Sequence, residues 1–316
     1  MTAPAVAEAG PVVIDKPGIY NLPADVYHRD PVPGGSLSST GARKLLPPSC
    51  PALFKHWLDT GDEPKAAWDI GTAAHKLVLG VGPELVRIDA DEWRTKAVKE
   101  EVAAVRARGA VPLRPADWDT VHAMAAKLRE HPVATALFTP RGRPDVGPDG
   151  AGQAEVTVVW QDQRTGVWCR ALIDYLPYFT LHRDGQPAVA PAYPGRLLLP
   201  DYKSGRSAAP DKLGRTIADF GYHVQLAWYL MGLRAVGYAR DDAQALLVVQ
   251  ETRPPYLVTV CQPDRDAMLL GALRCRQALD VYAECTASGR WPGYADDVVL
   301  AELPPWETRE LDGAVW

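Results

Sequence analysis

The chain has five cysteines (Cys50, Cys169, Cys261, Cys275 and Cys285), and no two of them form a C-x-x-C pair. Free thiols in a reducing compartment are the simplest account of so dispersed a set. No uninterrupted apolar stretch is long enough to span a bilayer. Met1 to Pro17 is rich in Ala, Val and Pro, with no early cationic segment ahead of an apolar core, so it reads as a mobile tail rather than a signal peptide. The expectation is a soluble protein of the cytoplasm of a bacterial host cell, with no membrane contact. Internal repeats, a Walker-type phosphate loop and a helicase signature are also missing, which leaves no built-in ATP motor and no ATP cofactor. There is no basic excess: 34 Lys and Arg stand against 39 Asp and Glu, a net charge of −5. Heavy use of Ala, Arg, Pro and Gly with few lysines suggests a high-GC genome.

At 316 residues the chain has room for one large domain or two modest ones. Hydrophobic periodicity predicts helices over about 39–46, 51–59, 66–79, 93–108 and 115–130, and a Gly/Pro-rich linker over 141–152. A β-hairpin follows, from Ala154–Trp160 and Val167–Tyr175 around the turn-like stretch Asp162 to Gly166. After it come a buried strand ending near Lys203, a helix over 216–235, strands over 243–250 and 256–261, and a helix over 264–288. The residues from Trp291 to Trp316 read as an irregular tail. The alternation implies an α/β class: a helical portion over 18–150, a core over 151–290 with a mixed sheet flanked by helices, and a tail over 291–316.

The chemistry begins at Leu197-Leu198-Leu199-Pro200-Asp201-Tyr202-Lys203, an apolar run that ends abruptly in charge. Side chains alternate along a strand, so Asp201 and Lys203 project to one face. An isolated D-x-K is better read as an ion pair capping a strand, and Glu63-Pro64-Lys65, which fits E-x-K in a polar turn, shows how little the tripeptide says alone. The hairpin adds weight, because Asp174 closes its second strand. Two strand-end carboxylates followed by a lysine are what phosphodiester hydrolysis requires. Magnesium takes oxygen ligands, keeps several waters, and is commonly held by one or two carboxylates plus substrate phosphate. Asp174 and Asp201 would be those ligands, with the Tyr202 backbone carbonyl as a further candidate. Lys203 would orient or deprotonate the water and stabilise the developing charge.

The order Gly71-x-x-x-His75, Glu155, Asp174, Asp201-x-Lys203, Gln225-x-x-x-Tyr229 resembles the PD-(D/E)xK nuclease superfamily in its RecB-like branch, and more narrowly the RecE (exonuclease VIII) type of phage recombination exonuclease. Gly18-Ile19-Tyr20, Leu37-Ser38-Ser39-Thr40, Val249-Gln250-Glu251-Thr252 before Pro255-Tyr256, and Pro304-Pro305-Trp306 fit the same group. The resemblance implies a restriction-endonuclease-like core in which Asp174 and Asp201 bind Mg2+ (or Mn2+), Lys203 is the catalytic lysine, and His75 reaches the metal from the 66–79 helix. Taken alone, His75 would be a hydrogen-bonded core histidine. Gly71 lies one turn before it and could admit another backbone. Gln225 and Tyr229 share a helical face with Tyr222, and the resemblance gives them contacts with the DNA backbone or support of Lys203. Glu155 is either a second-metal or water-positioning group or an ordinary exposed strand residue.

The resemblance further implies degradation of the 5′-ended strand of double-stranded DNA ends, a RecT-like single-strand annealing protein as partner, and a closed, ring-shaped homo-oligomer. Some RecB-like relatives carry an iron–sulfur cluster on one upstream and three closely spaced downstream cysteines, a spacing this chain lacks. That counts against a Cas4-like end-processing nuclease, which stays a rival reading beside a general endonuclease and a catalytically inactive DNA-end-binding module. Phosphate contacts need local positive charge rather than a basic total. Each of the candidate clusters reads first as a plain solvated helix face: Arg43 and Lys44, then Arg94, Lys96 and Lys99, and, as the best candidate, Arg206, Lys212 and Arg215 just after the lysine strand. The Pro177–Gly195 stretch is longer than such nucleases usually have between the two aspartates, and its composition is that of an insertion loop.

Overall fold

Val156, Val158, Trp160, Ala171 and Ile173 alternate inward along two strands and carry the main apolar core, which is why the hairpin forms where composition predicts it. The structure, a computed structural model, describes residues 12–61, 66–138, 152–177, 196–304 and 307–308. The elements run β1 (Gly18–Tyr20), α1 (Ala24–His28), β2 (Leu37–Ser38), α2 (Ser39–Leu45), α3 (Pro51–Thr60), α4 (Ala66–Leu79), β3 (Leu85–Arg87), α5 (Lys96–Ala107), β4 (Val111–Leu113), α6 (Pro115–Glu130) and α7 (Pro132–Phe138). The hairpin strands β5 (Gln153–Gln161) and β6 (Trp168–Leu176) follow, then β7 (Leu198–Gly205), α8 (Pro210–Phe220), α9 (Tyr222–Ala235), β8 (Gln244–Glu251), β9 (Val258–Cys261) and α10 (Arg265–Ser288).

The strands make a mixed platform. One sheet has the order β1-β5-β6-β2 and another β7-β8-β9, and β3 and β4 form a separate parallel pair. The strands β7 and β8 are parallel, so the chain must cross over between them, and α8 and α9 make that crossover. The strands β6 and β7 run side by side, bridged by a side chain: the Tyr202 N–H donates to Asp174 Oδ2 at 2.9 Å. Helices cover both faces. Residues of α2, α9 and α10 pack with Leu199, Leu247 and Val249 in the larger core, whereas α4, α6 and α7 pack with Tyr175, Tyr202 and Val248 in a second one. None of the described helices is long and apolar enough to cross a membrane.

Several expectations are corrected. The helix foreseen over 216–235 is two helices, broken at Gly221, whose φ of +64° is left-handed. Glycine adopts that conformation without a steric penalty. The helix foreseen from Trp93 begins at Lys96, where the Thr95 hydroxyl caps Val98 N–H. The lysine strand does not stop at its charges: β7 runs on to Gly205, so Asp201 and Lys203 lie inside it, because parallel pairing with β8 continues to Glu251. The proposed tail begins to pack by Ile14, 3% exposed, which joins Tyr20, Val32 and Val159. At the other end Trp291 packs against Phe54. Glu63-Pro64-Lys65, most of the 141–152 linker, nearly all of the Pro177–Gly195 stretch and Pro305-Trp306 lie outside the described residues.

Candidate active site

The site sits where the hairpin reverses its faces. Val156 and Ile173 point into the larger core, yet Ala154 and Tyr175, two positions along each strand, pack with the second core. Regular strands would keep positions two apart on one face. Glu155 and Asp174, which stand opposite each other between those pairs, take up the reversal and are missing from the register of paired residues. Glu155 does so with a φ of +52°, a left-handed conformation that costs a non-glycine residue on the order of 1–2 kcal/mol. The result is that both carboxylates face His75 of α4. His75 Nε2 lies 3.4 Å from Asp174 Oδ1, and Nδ1 lies 3.8 Å from Glu155 Oε1.

From β7, alternation carries Asp201 and Lys203 to one face as expected, and Lys203 Nζ stands 2.5 Å from Asp201 Oδ2. Lys203 also lies 3.4 Å from the Tyr202 carbonyl and 5.3 Å from the centroid of the Tyr222 ring. Asp201 is fully buried, with an exposure of 0%. Its Oδ1 accepts from Gln225 Nε2 at 3.2 Å, and the same amide donates to Tyr229 Oη at 2.7 Å. Gln225 and Tyr229 are therefore a buried bracket beneath Asp201, on the lower side of the site. The structure gives them neither a contact surface for a DNA backbone nor a contact with Lys203, because the inward face of α9 is the face they occupy. Tyr222 is the member of that face that meets Lys203.

Burial sets the charges apart. Burial raises the Asp201 carboxyl first, and the neighbouring Asp174 charge raises it further, to about 6, against the opposing pull of Lys203. Burial would raise Asp174 too, but the Lys203 ammonium, His75 and the Tyr202 N–H overcome it and hold that carboxyl at about 2. Burial also pushes the His75 imidazole down, yet Asp174 outweighs it and the net direction is up. Lys203 goes up as well: burial opposes its charge, and Asp201 and Asp174 more than restore it. In Glu155 burial dominates and raises the carboxyl.

Two buried carboxylates, a third beside them and an imidazole make the donor set of a hard divalent cation. The partner of Asp201 Oδ2 is the Lys203 ammonium at 2.5 Å. The side chains here pair with one another, and among the described residues no three His, Cys, Asp or Glu groups converge tightly enough to enclose an ion. The residues fit such a metal in donor type and in mutual repulsion, which a cation between them would offset.

Other expected residues fare unevenly. A Cβ on Gly71 would meet Ser204 Oγ at 3.5 Å, an ordinary contact, so its neighbour is a hydroxyl and not the backbone anticipated. Arg43 is tied down: its Nη1 donates to the Phe220 carbonyl at 2.6 Å, at the end of α8. Arg206 and Lys212 are exposed, and Arg215 is exposed beside Asp219 at 3.4 Å. Arg94 and Lys96 pair with Glu92 and Glu100. All five cysteines are free. A positioning role that sequence reasoning missed belongs to Gln250, fully buried, which accepts from Tyr202 Oη at 2.8 Å and donates to the Met124 carbonyl of α6 at 2.8 Å. Its signals were a polar residue closing the apolar run of β8 and its place in the Val249-Gln250-Glu251-Thr252 segment that fits the resemblance.

The fold is thus a mixed α/β one, with a central mixed sheet flanked by helices, consistent with the restriction-endonuclease-like class. No protein-family model and no curated protein matches the chain. Among solved structures it is similar to that of a provisionally named exonuclease from Eubacterium rectale, at 11% identity and a TM-score of 0.53, over 89% of this chain and 94% of that one. The structure of SSO0001 is matched at 11% identity over 75% of this chain and 82% of that one, with a TM-score of 0.26, too low to carry an argument.

Proposed function

We propose that this chain is a metal-dependent deoxyribonuclease of the RecE-like kind, resecting linear double-stranded DNA from its 5′-ended strands and leaving 3′ single strands for recombination by strand annealing. The observation that carries the reading is the pairing of Asp174 and Asp201, two buried carboxylates on adjacent strands, with Lys203 set against the second. The fold likeness to an exonuclease supports it. A bound Mg2+ or Mn2+ would make a water easier to ionise and offset charge on the phosphate.

The residues divide the remaining work. Asp174 and Asp201 would hold the cation, with His75 and the Tyr202 carbonyl as further candidate ligands. Glu155 orients the attacking water next to His75. Lys203, which stands 2.5 Å from Asp201 Oδ2, directs its Nζ–H donors at the phosphate oxygen where negative charge develops. Gln225 and Tyr229 keep Asp201 in place. Exposed Arg206, Lys212 and Arg215 meet backbone phosphates.

The test is digestion of a linear duplex against a covalently closed circle in magnesium, with each strand end labelled separately. Linear duplex is consumed from its 5′ ends and the circle is spared. Rapid nicking of the circle would move the reading to an endonuclease, and no cleavage of either, with tight end binding, to an inactive end-binding module.

A further inference from the structure

Phe220 is 61% exposed at the last position of α8. A single exposed apolar side chain is ordinary, but this one is placed with unusual definition. Its carbonyl is held by Arg43, and the left-handed Gly221 turns the chain directly after it. Its ring is stacked on Tyr222, with centroids 5.5 Å apart and planes within 14°. The Tyr222 ring leads on to the site, since its centroid is 5.3 Å from Lys203 Nζ. The Tyr222 ring therefore contacts both the exposed Phe220 ring and Lys203. Beside Phe220 opens a cavity of about 630 Å³ whose lining includes Arg43, Lys44, Asp219, Phe220, His223 and Arg274. His223 is buried there, and its Nε2 has no hydrogen-bond partner.

An aromatic platform joined to a basic channel is what a single strand of nucleic acid binds: bases stack and phosphates follow the positive groove. We propose that Phe220 is the stacking platform for a nucleobase of the cleaved DNA strand, next to the phosphate at Lys203, and that the strand continues along the cavity lined by Arg43, Lys44 and Arg274. This rests on the nuclease reading above and adds to it a residue that grips the substrate. Tyr222 occupies one face of Phe220, and the base takes the other.

The experiment compares wild type with Phe220→Ala, Phe220→Leu and Phe220→Trp on linear duplex in magnesium, alongside 2-aminopurine fluorescence from a label in the terminal nucleotide of the 5′-ended strand, with calcium in place of magnesium. Losing one stacked base costs about 5- to 150-fold in binding. Phe220→Ala and Phe220→Leu therefore raise KM on that scale with kcat nearly unchanged, and lose the fluorescence quenching seen with wild type. Phe220→Trp keeps both. Melting curves of all four proteins coincide, because the ring lies outside the core. An active wild type whose KM and quenching survive Phe220→Ala overturns the platform alone. So does a leucine variant equal to wild type, since bulk would then suffice. A wild type that cleaves no DNA overturns the nuclease reading, and the platform with it.

Discussion

Asp201 concentrates the residue-scale chemistry, because no other carboxylate in the site is so completely buried while facing both an anion and a cation. Asp201→Asn or Lys203→Ala is expected to lower magnesium-dependent hydrolysis by at least about 10²–10³-fold, while duplex-end binding in calcium, followed by fluorescence anisotropy, stays within a few-fold of wild type. Equal activity in EDTA or in either variant would sink the assignment. The raised Asp201 carboxyl makes a second prediction for the metal-free protein. Its folded value, about 6, lies above the ordinary 3.8, so the protonated group stabilises the fold fully below the ordinary value, and that contribution is lost as pH rises through 6. Two units correspond to about 3 kcal/mol at most. Urea midpoints in EDTA should fall between pH 4 and pH 7.5 relative to Asp201→Asn, in which this component is absent. Asp174 acts oppositely, since its stabilisation is present above the ordinary value and disappears as pH falls towards 2. A flat difference between wild type and Asp201→Asn would contradict the buried-pair account.

At the scale of elements, the reversal of faces in the hairpin is the feature that makes the site. Backbone strain at Glu155 aims two carboxylates at one histidine, and strain of this kind persists where the surroundings overdetermine it. Glu155→Gly releases that strain, against the roughly 0.5–1 kcal/mol a strand glycine ordinarily costs. The expected outcome is a melting temperature equal to wild type or higher, together with reduced cleavage, measured by calorimetry and nucleotide release. Loss of stability by several degrees with cleavage retained would make Glu155 a structural residue. The break between α8 and α9 has an analogous effect: one left-handed glycine sets Phe220 and Tyr222 on either side of a corner and leaves Gln225 and Tyr229 facing inward.

At the scale of the molecule, the helical segment before the hairpin contributes to the same site, because α4 packs on β7 and brings His75 to Asp174. The Gln250 amide joins α6 to the lysine strand through Tyr202. A chain of net charge −5 holds a polyanion through successive cuts most readily if several copies enclose it with their basic side chains turned inward. Light scattering at working concentration is expected to give the mass of a closed homo-oligomer. A monomeric mass with long processive runs still observed would contradict that assembly.

Much of this was legible in the linear chain, for reasons of period and punctuation. The hairpin, the 66–79 and 115–130 helices and the pairing of Asp201 with Lys203 follow from alternation, helical spacing and the turn at Asp162 to Gly166, all of which are local. What the chain could not disclose is what depends on partners distant in sequence. Continuation of β7 past its charges depends on β8, and the split at Gly221 depends on how α8 and α9 must turn to cross between parallel strands. The strained Glu155 has no sequence signature, since the same residue in a regular strand would be solvated. Tertiary packing alone decided that Gln225 and Tyr229 face inward and hold Asp201, that Arg43 holds a helix end, and that Phe220 remains uncovered against Tyr222, because burial and hydrogen-bond partners exist only once the sheet and its two helical layers have closed around the site.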